Sequence, residues 1–343
     1  MTQANDAPAQ AQDGQAAPQA WEDGRPLPAL VRAAAPGTDL ATWIRANRPL
    51  VDDLAVRAGA VLFRDFAVTD SAGFRTVMDA LSDRVLEYGE RSSPRTEVSD
   101  GIYTSTEYPA DQHILLHNEQ SYTDNWPMRI VFCCERPAER GGRTPLADSR
   151  RVLAALRPET VEKFERLGVQ YVRNYIPGIS LSWQEAFQTE DPEQVAAYCA
   201  KAGIAVEWVD GGQLRTRQTR PAIHTHPVSG ERTWFNHAVF FHITSLPEEI
   251  STGLREALDE EDLPYNTYYG DGTPIEDETL AELRAAFTAE TTGFDWERGD
   301  VLVVENMITA HAREPFEGAR RILAAMSDPV RADADAGEEG AAA

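Results

Sequence analysis

Short apolar runs bounded by turn residues make up most of the pattern of hydrophobic and polar positions along the chain. Such runs, rich in β-branched and aromatic residues, are typical of strands. The predicted strands cover residues 59–66, 128–135, 169–175, 207–209, 213–220, 222–226, 233–241 and 294–304. Other segments repeat their apolar residues with a helical period. The predicted helices cover residues 39–57, 71–84, 149–168, 182–187, 192–202, 247–258 and 277–288.

This order of elements favours a mainly β fold with helices, of the α+β class. Many short strands separated by turns, with helices at the start and in the middle, indicate a jelly roll with insertions. We predict one domain at residues 25–328, with a long mixed insert at about 151–290. The composition of residues 1–24 and 329–343 predicts disordered tails, the second of them acidic.

The chain is strongly acidic, with a formal net charge of −24 at pH 7 and only two lysines, Lys163 and Lys201. This charge argues against nucleic acid or an anionic membrane as a partner, because either would repel the protein. Since lysine is so rare, a binding site for an anion must rely on arginine.

The three cysteines, Cys133, Cys134 and Cys199, lack the spacing of a zinc site. The first two stand in an apolar run, which predicts buried free thiols. No apolar run approaches the length of a membrane span, and no charged segment followed by an apolar one opens the chain. We therefore expect a reduced, cytoplasmic protein.

A histidine and a glutamate, His117 and Glu119, stand two residues apart in the segment LHNEQSY. In an extended strand, residues i and i+2 point to the same face. An imidazole and a carboxylate side by side are two of the three ligands in the 2-His-1-carboxylate set that binds Fe(II). Such a pair alone is more often an ion pair on a strand. Near the other end of the chain, an apolar run leads into His311, and Arg320 and Arg321 follow after a loop.

Three blocks in this order resemble the taurine dioxygenase (TauD/TfdA) family of Fe(II)/2-oxoglutarate-dependent oxygenases, in its clavaminate synthase-like branch. They are LHNEQSY, the segment ERGGRTPLADSR at residues 139–150, and residues 311–321. Each block alone is a weak signal, but the three together are specific. The resemblance runs from about residue 62 to residue 326.

The resemblance implies a double-stranded β-helix, which is a jelly roll, with a long insert between the two metal-binding blocks. It implies His117, Glu119 and His311 as the ligands of Fe(II), with 2-oxoglutarate and O2 as cosubstrates. It also implies oxidative decarboxylation of 2-oxoglutarate to succinate, coupled to hydroxylation of an unactivated carbon.

In the family, an arginine a short way after the second histidine binds the far carboxylate of 2-oxoglutarate. Arg320 and Arg321 are both candidates, and only one can point inward because adjacent strand residues face opposite sides. Arg320 is favoured, and the other arginine is expected at the surface. Thr144 matches the position of a family threonine whose hydroxyl helps to hold the same carboxylate, although a turn threonine is the alternative.

Polar residues near the first metal-binding block are candidates for substrate binding. The candidates are Arg91, Arg95, Thr104, Glu107 and Asn236. A guanidinium binds a carboxylate through two parallel hydrogen bonds, and a carboxylate binds an amino group. Each of these residues is equally well explained as an ordinary loop residue.

Two other histidines, His224 and His226, alternate on a predicted strand. This spacing places both imidazoles on one face, as a metal site requires. A second metal site is nevertheless disfavoured, because no carboxylate lies nearby in the sequence.

These observations favour an oxygenase that hydroxylates an aliphatic carbon of a small amino acid or amino-acid-derived substrate in natural-product biosynthesis. The substrate is a small molecule, either free or tethered to an acyl or peptidyl carrier protein. Taurine-like sulfonates and other small carboxylates are alternative substrates. A metal-binding jelly-roll protein without turnover and a zinc hydrolase are the alternatives of another class.

Overall fold

The computed structural model describes residues 18–19, 27–84, 90, 97–99, 101–105, 108–209 and 211–331. The helices are α1 Leu40–Ala46, α2 Arg48–Ala58, α3 Ser71–Leu81, α4 Ser149–Ala154, α5 Pro158–Leu167, α6 Trp183–Phe187, α7 Pro192–Lys201, α8 Glu248–Ala257 and α9 Asp277–Glu290. The strands are β1 Pro18–Gln19, β2 Ala29–Arg32, β3 Ala60–Arg64, β4 Glu97–Ser99, β5 Ile102–Thr104, β6 Ile114–His117, β7 Asn125–Arg136, β8 Arg140–Gly141, β9 Leu146–Asp148, β10 Val169–Tyr175, β11 Ala205–Val209, β12 Gln213–Arg220, β13 Ile223–Thr225, β14 Arg232–Trp234, β15 Tyr265–Tyr269, β16 Val301–Glu305, β17 Thr309–Arg313, β18 Phe316–Glu317 and β19 Arg321–Arg331.

An eight-stranded sheet in the order β1-β2-β3-β16-β7-β19-β5-β4 forms the centre of the protein. Strands β2 and β3 run parallel, and the other neighbours in this sheet are antiparallel. Side chains of its central strands alternate between two apolar clusters, one on each face. Because both faces are buried, these strands appear in the sequence as continuous apolar runs.

The two faces of the large sheet have different neighbours. Helices α1, α2 and α3 cover one face, where Trp43 and Phe74 pack against Phe63 and Val131. The other face carries Phe132 and packs against Leu146 of a smaller sheet. This arrangement leaves the second face and the smaller sheet as the walls of the site described below.

The smaller sheet has three strands in the order β6-β17-β9. In its antiparallel register His311 of β17 lies opposite His117 of β6 and opposite Leu146 of β9. The β17–β6 register shifts between His311 and Arg313, as at a bulge. The ladder thus brings together two histidines from distant parts of the chain.

The chain between β9 and β16 contains helices α4 to α9 and a separate four-stranded sheet, ordered β11-β12-β10-β15. Its apolar cluster includes Tyr171 and Trp234 together with Ala310 of β17. The insert therefore packs directly against the strand that carries His311. The insert bounds predicted from the sequence, like the division into domains, stay a prediction.

Several predicted elements differ from the structure where proline or tertiary packing intervenes. The helix predicted at 149–168 is two helices, because Pro158 begins α5 and disfavours helical backbone in the preceding residue. The helix predicted at 39–57 is interrupted at Asn47, just before the Arg48-Pro49 start of α2. The strand predicted at 233–241 extends only over β14, which ends at Trp234.

Both predicted tails contain backbone that is paired in a sheet. Pro18–Gln19 pairs with the otherwise open edge of β2, and β19 continues to Arg331 by pairing with β7. Composition alone misses this pairing, because an edge strand offers free backbone groups to any short extended segment. None of the helices in the described ranges is both long and apolar enough to cross a membrane.

A close backbone approach at Gly59 leads to a stability prediction. Gly59 ends α2 with φ of 82°, and a Cβ added there would lie 2.3 Å from Oγ1 of Thr309 in β17. We expect Gly59→Ala to lower the free energy of unfolding by about 2–5 kcal/mol, the sum of left-handed strain and overpacking. Gly37 also has a positive φ but has open space around it, so Gly37→Ala should cost only about 1–2 kcal/mol. Urea unfolding of both variants measures the difference, and equal losses would contradict the role of the close approach.

Candidate metal centre

Three side chains from two distant parts of the chain meet beside the smaller sheet. One ligand atom from each of His117, Glu119 and His311 lies within 4.8 Å of the other two. Among the described residues, no other group of three histidine, cysteine or acidic side chains meets this condition. Nε2 of His311 lies 3.9 Å from Oε2 of Glu119, a gap that two coordinate bonds of about 2 Å each can span.

A backbone contact sets the orientation of the His117 imidazole. Its Nδ1 lies 2.8 Å from the carbonyl oxygen of Leu115. Because a carbonyl oxygen only accepts, Nδ1 carries the hydrogen and Nε2 keeps its lone pair for a metal ion. Metal-binding histidines usually donate their second ring N–H in this way.

Glu119 reaches the cluster from a turn and not from the predicted strand. Strand β6 ends at His117, and Glu119 lies two residues beyond its end. The alternation argument predicted the right neighbours for the wrong local reason. Glu119 is nevertheless buried, with 4% of its surface exposed. Its position must be set by tertiary contacts.

Aromatic rings surround the two histidines. The His117 ring lies 4.4 Å from that of His311 and 4.6 Å from that of Phe240, between ring centroids. Phe132 of the large sheet lies 5.2 Å from His311. These rings exclude water from much of the site, which strengthens electrostatic interactions inside it.

A further histidine, His237, lies beside the cluster. Its ring centroid is 5.8 Å from that of His117, and its Nδ1 lies 2.6 Å from Oγ of Ser121. Burial first, and the neighbouring His117 second, hold the pKa of His237 well below its usual value. The imidazole of His237 is therefore neutral. From the sequence alone we predicted no role for His237 at the metal centre.

The two adjacent arginines after the loop have opposite environments. Arg320 lies in a cavity shared with His117, His311 and Thr144. Arg321 is half exposed and forms an ion pair of 2.8 Å with Glu135. Of the two, only Arg320 therefore lies in the cavity with the histidines, and it stands just before β19 begins.

Arg320 is a partly buried cation without a carboxylate partner among the described residues. Its Nε donates to the carbonyl of Gly142 at 3.2 Å, and its Nη1 lies 3.5 Å from Oγ of Ser105. Burial first, and the positive charge of Arg313 second, lower the pKa of Arg320 to about 10. It stays positively charged at neutral pH, and a desolvated charge of this kind needs an anion.

The glycines before Thr144 allow Arg320 to occupy this cavity. A Cβ on Gly142 would lie 3.1 Å from Cδ of Arg320, and the φ of Gly142 is +71°. Thr144 itself is buried in the cavity wall, and its Oγ1 accepts a hydrogen bond of 3.1 Å from the Trp296 indole. The Thr144 hydroxyl can therefore donate its own hydrogen to an acceptor in the cavity.

A second arginine, Arg313, also lines the cavity. Its guanidinium donates to the backbone carbonyls of Tyr108, Pro109 and Gln112 at 2.5–2.9 Å. Arg313 thus holds the loop before β6 against the strand that carries His311. Its charge adds to the positive potential around Arg320.

The candidate substrate-binding residues are only partly described. Arg91, Arg95 and Glu107 lie outside the described residues. Thr104 is in β5, but the cavity is lined by the next residue, Ser105. The amide of Asn236 is bonded to backbone groups of Ala222 and Ala238. Roles for Thr104 and Asn236 in substrate binding stay predictions.

The expectation that His226 has no carboxylate nearby is wrong. Its Nε2 lies 3.3 Å from Oε1 of Glu305, and both side chains are buried. Glu305 also lies 3.4 Å from Nε of Arg129. The sequence separates these residues widely, so only the fold brings them together. This group is an ion-pair network, and no third metal-binding donor joins it among the described residues.

The donor set fits a ferrous ion bound with a keto acid. Two imidazoles and one carboxylate suit Fe(II) and leave coordination positions free for other ligands. The unpaired charge of Arg320, with the Thr144 hydroxyl beside it, fits a carboxylate whose other end reaches the metal. The cysteines cannot contribute, since Cys133, Cys134 and Cys199 are all buried elsewhere as free thiols.

Comparison with known proteins gives the family. A sequence model described as Taurine catabolism dioxygenase TauD, TfdA family matches residues 23–326. The dapdiamide synthesis protein DdaC of Enterobacter agglomerans is 38% identical over 312 residues, which cover 91% of this chain and 94% of that protein. A clavaminate synthase-like protein of Arabidopsis thaliana is 30% identical over 293 residues, 82% of this chain and 86% of its own.

Solved structures show the same fold at lower identity. PvcB from Pseudomonas aeruginosa aligns with a TM-score of 0.54 and 16% identity, over 94% of this chain and 95% of its own. Another PvcB structure, described as an Fe, alpha-ketoglutarate dependent oxygenase from an isonitrile synthetic pathway, aligns with a TM-score of 0.53. The mixed α+β fold predicted from the sequence is thus confirmed, while the detailed double-stranded β-helix topology stays a prediction. From its match to the family over most of its length, the chain belongs to the TauD/TfdA family and is an Fe(II)/2-oxoglutarate-dependent dioxygenase.

Proposed function

We propose that His117, Glu119 and His311 hold the Fe(II) ion and that Arg320 and Thr144 hold the far carboxylate of 2-oxoglutarate. One observation carries this proposal: the two histidines of the three-donor cluster line the same cavity as Arg320, which has no carboxylate partner among the described residues. When bound, Fe(II) and 2-oxoglutarate supply the oxidant that places one oxygen atom of O2 on the substrate carbon, with succinate and carbon dioxide as the other products. Hydroxylation is therefore the reaction that we assign to the site.

The protein's own residues bind and orient in this scheme. The Leu115 carbonyl keeps the His117 ring turned with Nε2 toward the metal. Phe240 and Phe132 pack on the two histidines and keep water away from part of the site. Arg313 holds the loop of residues 108–112 against β17, which closes one side of the 2-oxoglutarate cavity.

The substrate that we propose is a small amino acid or amino-acid derivative, hydroxylated at an aliphatic carbon. Arg91 and Arg95 would bind its carboxylate by the fork geometry of a guanidinium, and Glu107 would bind its amino group. The acidic chain would attract a cationic amine, whereas an acidic carrier protein would be repelled unless a local arginine patch received it. A free substrate is therefore favoured over a carrier-tethered one.

The relatives support biosynthesis as the setting. DdaC is named for dapdiamide synthesis, and one PvcB structure is described as coming from an isonitrile synthetic pathway. The family description itself refers to taurine catabolism. Because DdaC is 38% identical to this chain over 91% of its length, we favour a natural-product pathway over sulfonate breakdown.

Succinate release in the presence of Fe(II), 2-oxoglutarate and O2 tests this proposal. We expect release that depends on added substrate when free amino acids, amino-acid derivatives and their carrier thioesters are screened, with product mass increased by one oxygen atom. Leaving out Fe(II) or 2-oxoglutarate is the control and should abolish release. Coupled turnover with taurine or an aryloxyacetate, and none with any amino-acid form, would contradict the substrate proposal and leave the metal site intact.

A further inference from the structure

The backbone of Glu119 is held by the side chain of one asparagine, Asn306. The amide oxygen of Asn306 accepts a hydrogen bond of 2.7 Å from the Glu119 N–H. Its amide nitrogen donates to the Glu119 carbonyl at 2.8 Å and to the Pro127 carbonyl at 2.8 Å. Every hydrogen-bonding group of this amide except one oxygen lone pair is therefore used, in the only orientation that matches donors to acceptors.

Asn306 takes the place of a neighbouring strand for Glu119. In an antiparallel ladder, one residue exchanges both its N–H and its C=O with the residue opposite. Strand β6 ends at His117, so Glu119 lies outside this ladder. The Asn306 side chain, which is fully buried, forms the same pair of hydrogen bonds. The backbone of this predicted ligand is thereby fixed although it lies in a turn.

Asn306 is itself held from several sides. It follows directly after β16, and its own N–H donates to the Met128 carbonyl at 2.8 Å. Its carbonyl accepts a hydrogen bond of 2.6 Å from the Asn118 amide, which also donates to Oγ of Ser149 at 3.1 Å. The side chain of each asparagine thus binds the backbone of the segment that carries the other, and both are completely buried.

This pair joins the two halves of the candidate metal centre. Asn118 stands between His117 and Glu119, and Asn306 stands in the turn that leads from β16 to β17, the strand of His311. Glu119 and Asn306 are 187 residues apart in the sequence. We propose that Asn306 is the positioning residue that sets the carboxylate of Glu119 against the two histidines, with Asn118 in support.

The proposal rests on the metal site assigned above and adds a role for residues that bind no metal. Groups that orient metal ligands typically contribute 10- to 100-fold to metal affinity. Removing the Asn306 amide leaves the Glu119 N–H and C=O without these partners, so the turn can relax and the carboxylate can move. The effect should appear in metal binding itself, before any 2-oxoglutarate or O2 is added.

Titration of the protein with Co(II), followed by the visible absorption of the bound ion, tests this role. We expect Asn306→Ala to weaken Co(II) binding about 10- to 100-fold and to change the visible spectrum, because the carboxylate no longer has a fixed position. Asn118→Ala should give a smaller change in the same direction, since it removes support from Asn306 but leaves its amide in place. If Asn306→Ala does not fold, Asn118→Ala carries the test by itself.

Asn174→Ala is the matched control. Asn174 is also buried, and its amide donates to the carbonyls of Glu261 and Leu263 in the insert. This variant should lose thermal stability but keep the Co(II) affinity and spectrum of the unaltered protein. Unchanged Co(II) affinity and spectrum in the folded Asn306 variant, or in Asn118→Ala where it carries the test, would overturn the positioning role. Failure of the unaltered protein to bind Co(II) would instead overturn the metal site.

Discussion

Replacing Glu119 by alanine is expected to abolish turnover and to lower Fe(II) affinity by more than about 100-fold. A residue that only orients a ligand contributes about 10- to 100-fold to metal affinity, and loss of a ligand must cost more. Glu119 is also the only carboxylate in the three-donor cluster. Without its negative charge, two neutral imidazoles and the nearby Arg320 would face the cation alone.

The measurement is the visible charge-transfer band that Fe(II) and 2-oxoglutarate give together under anaerobic conditions. The unaltered protein should develop this band, and Glu119→Ala should not develop it at the same Fe(II) concentration. Glu317→Ala is the matched control, because Glu317 is an exposed glutamate paired with Arg140 at the surface. Normal band intensity and succinate release in Glu119→Ala would refute the assignment of this ligand.

Replacing Arg320 by alanine is expected to raise the apparent KM for 2-oxoglutarate about 30- to 4,000-fold. Truncating one partner of a buried, hydrogen-bonded charge pair costs about 2–5 kcal/mol, and each 1.4 kcal/mol is a factor of ten. Arg320 is partly buried next to Thr144 and the histidines, so the far carboxylate would lose its only charged partner among the residues proposed to bind it. The apparent KM of Arg320→Lys should lie between those of the unaltered protein and Arg320→Ala, because an ammonium keeps the charge but lacks the planar fork.

Arg321→Ala is the matched control for Arg320→Ala. Arg321 is half exposed and paired with Glu135, and removing such a surface pair costs about 0–1 kcal/mol. The apparent KM for 2-oxoglutarate should therefore rise at most about fivefold. A large effect of Arg321→Ala with a small effect of Arg320→Ala would show that the assignment is displaced by one residue.

The sequence predicted much of the fold because its strands have strong local patterns. The limits predicted for residues 169–175 and 213–220 match β10 and β12. Each of the two long predicted helices is interrupted, one at Asn47 and the other before Pro158, because apolar periodicity does not reveal a local break in a helix. The strand predicted at 233–241 ends at Trp234, because the following residues pack their rings around His117 instead of continuing a ladder.

The sequence also predicted the cluster of His117, Glu119 and His311, since each residue stands in a block that resembles the family. Of the two candidate arginines, Arg320 lies in the cavity and Arg321 is half exposed, and the binding of 2-oxoglutarate by Arg320 stays a prediction. The residues that bind the substrate were harder to predict from the sequence. Asn236 was chosen for its polarity, yet its amide bonds to backbone, while the next residue, His237, lies beside the cluster.

The sequence by itself determined which chemical groups this protein can bring to a metal and an anion, and in which order along the chain. Residue types and local spacing carry that information, because the chemistry of an imidazole, a carboxylate or a guanidinium belongs to the side chain itself. Only the tertiary structure decided how the groups are held: the turn at Glu119, the Asn306 amide that binds it, and the Glu305 carboxylate beside His226. These contacts join residues far apart in the chain, so they leave no periodicity or local motif from which they could be predicted.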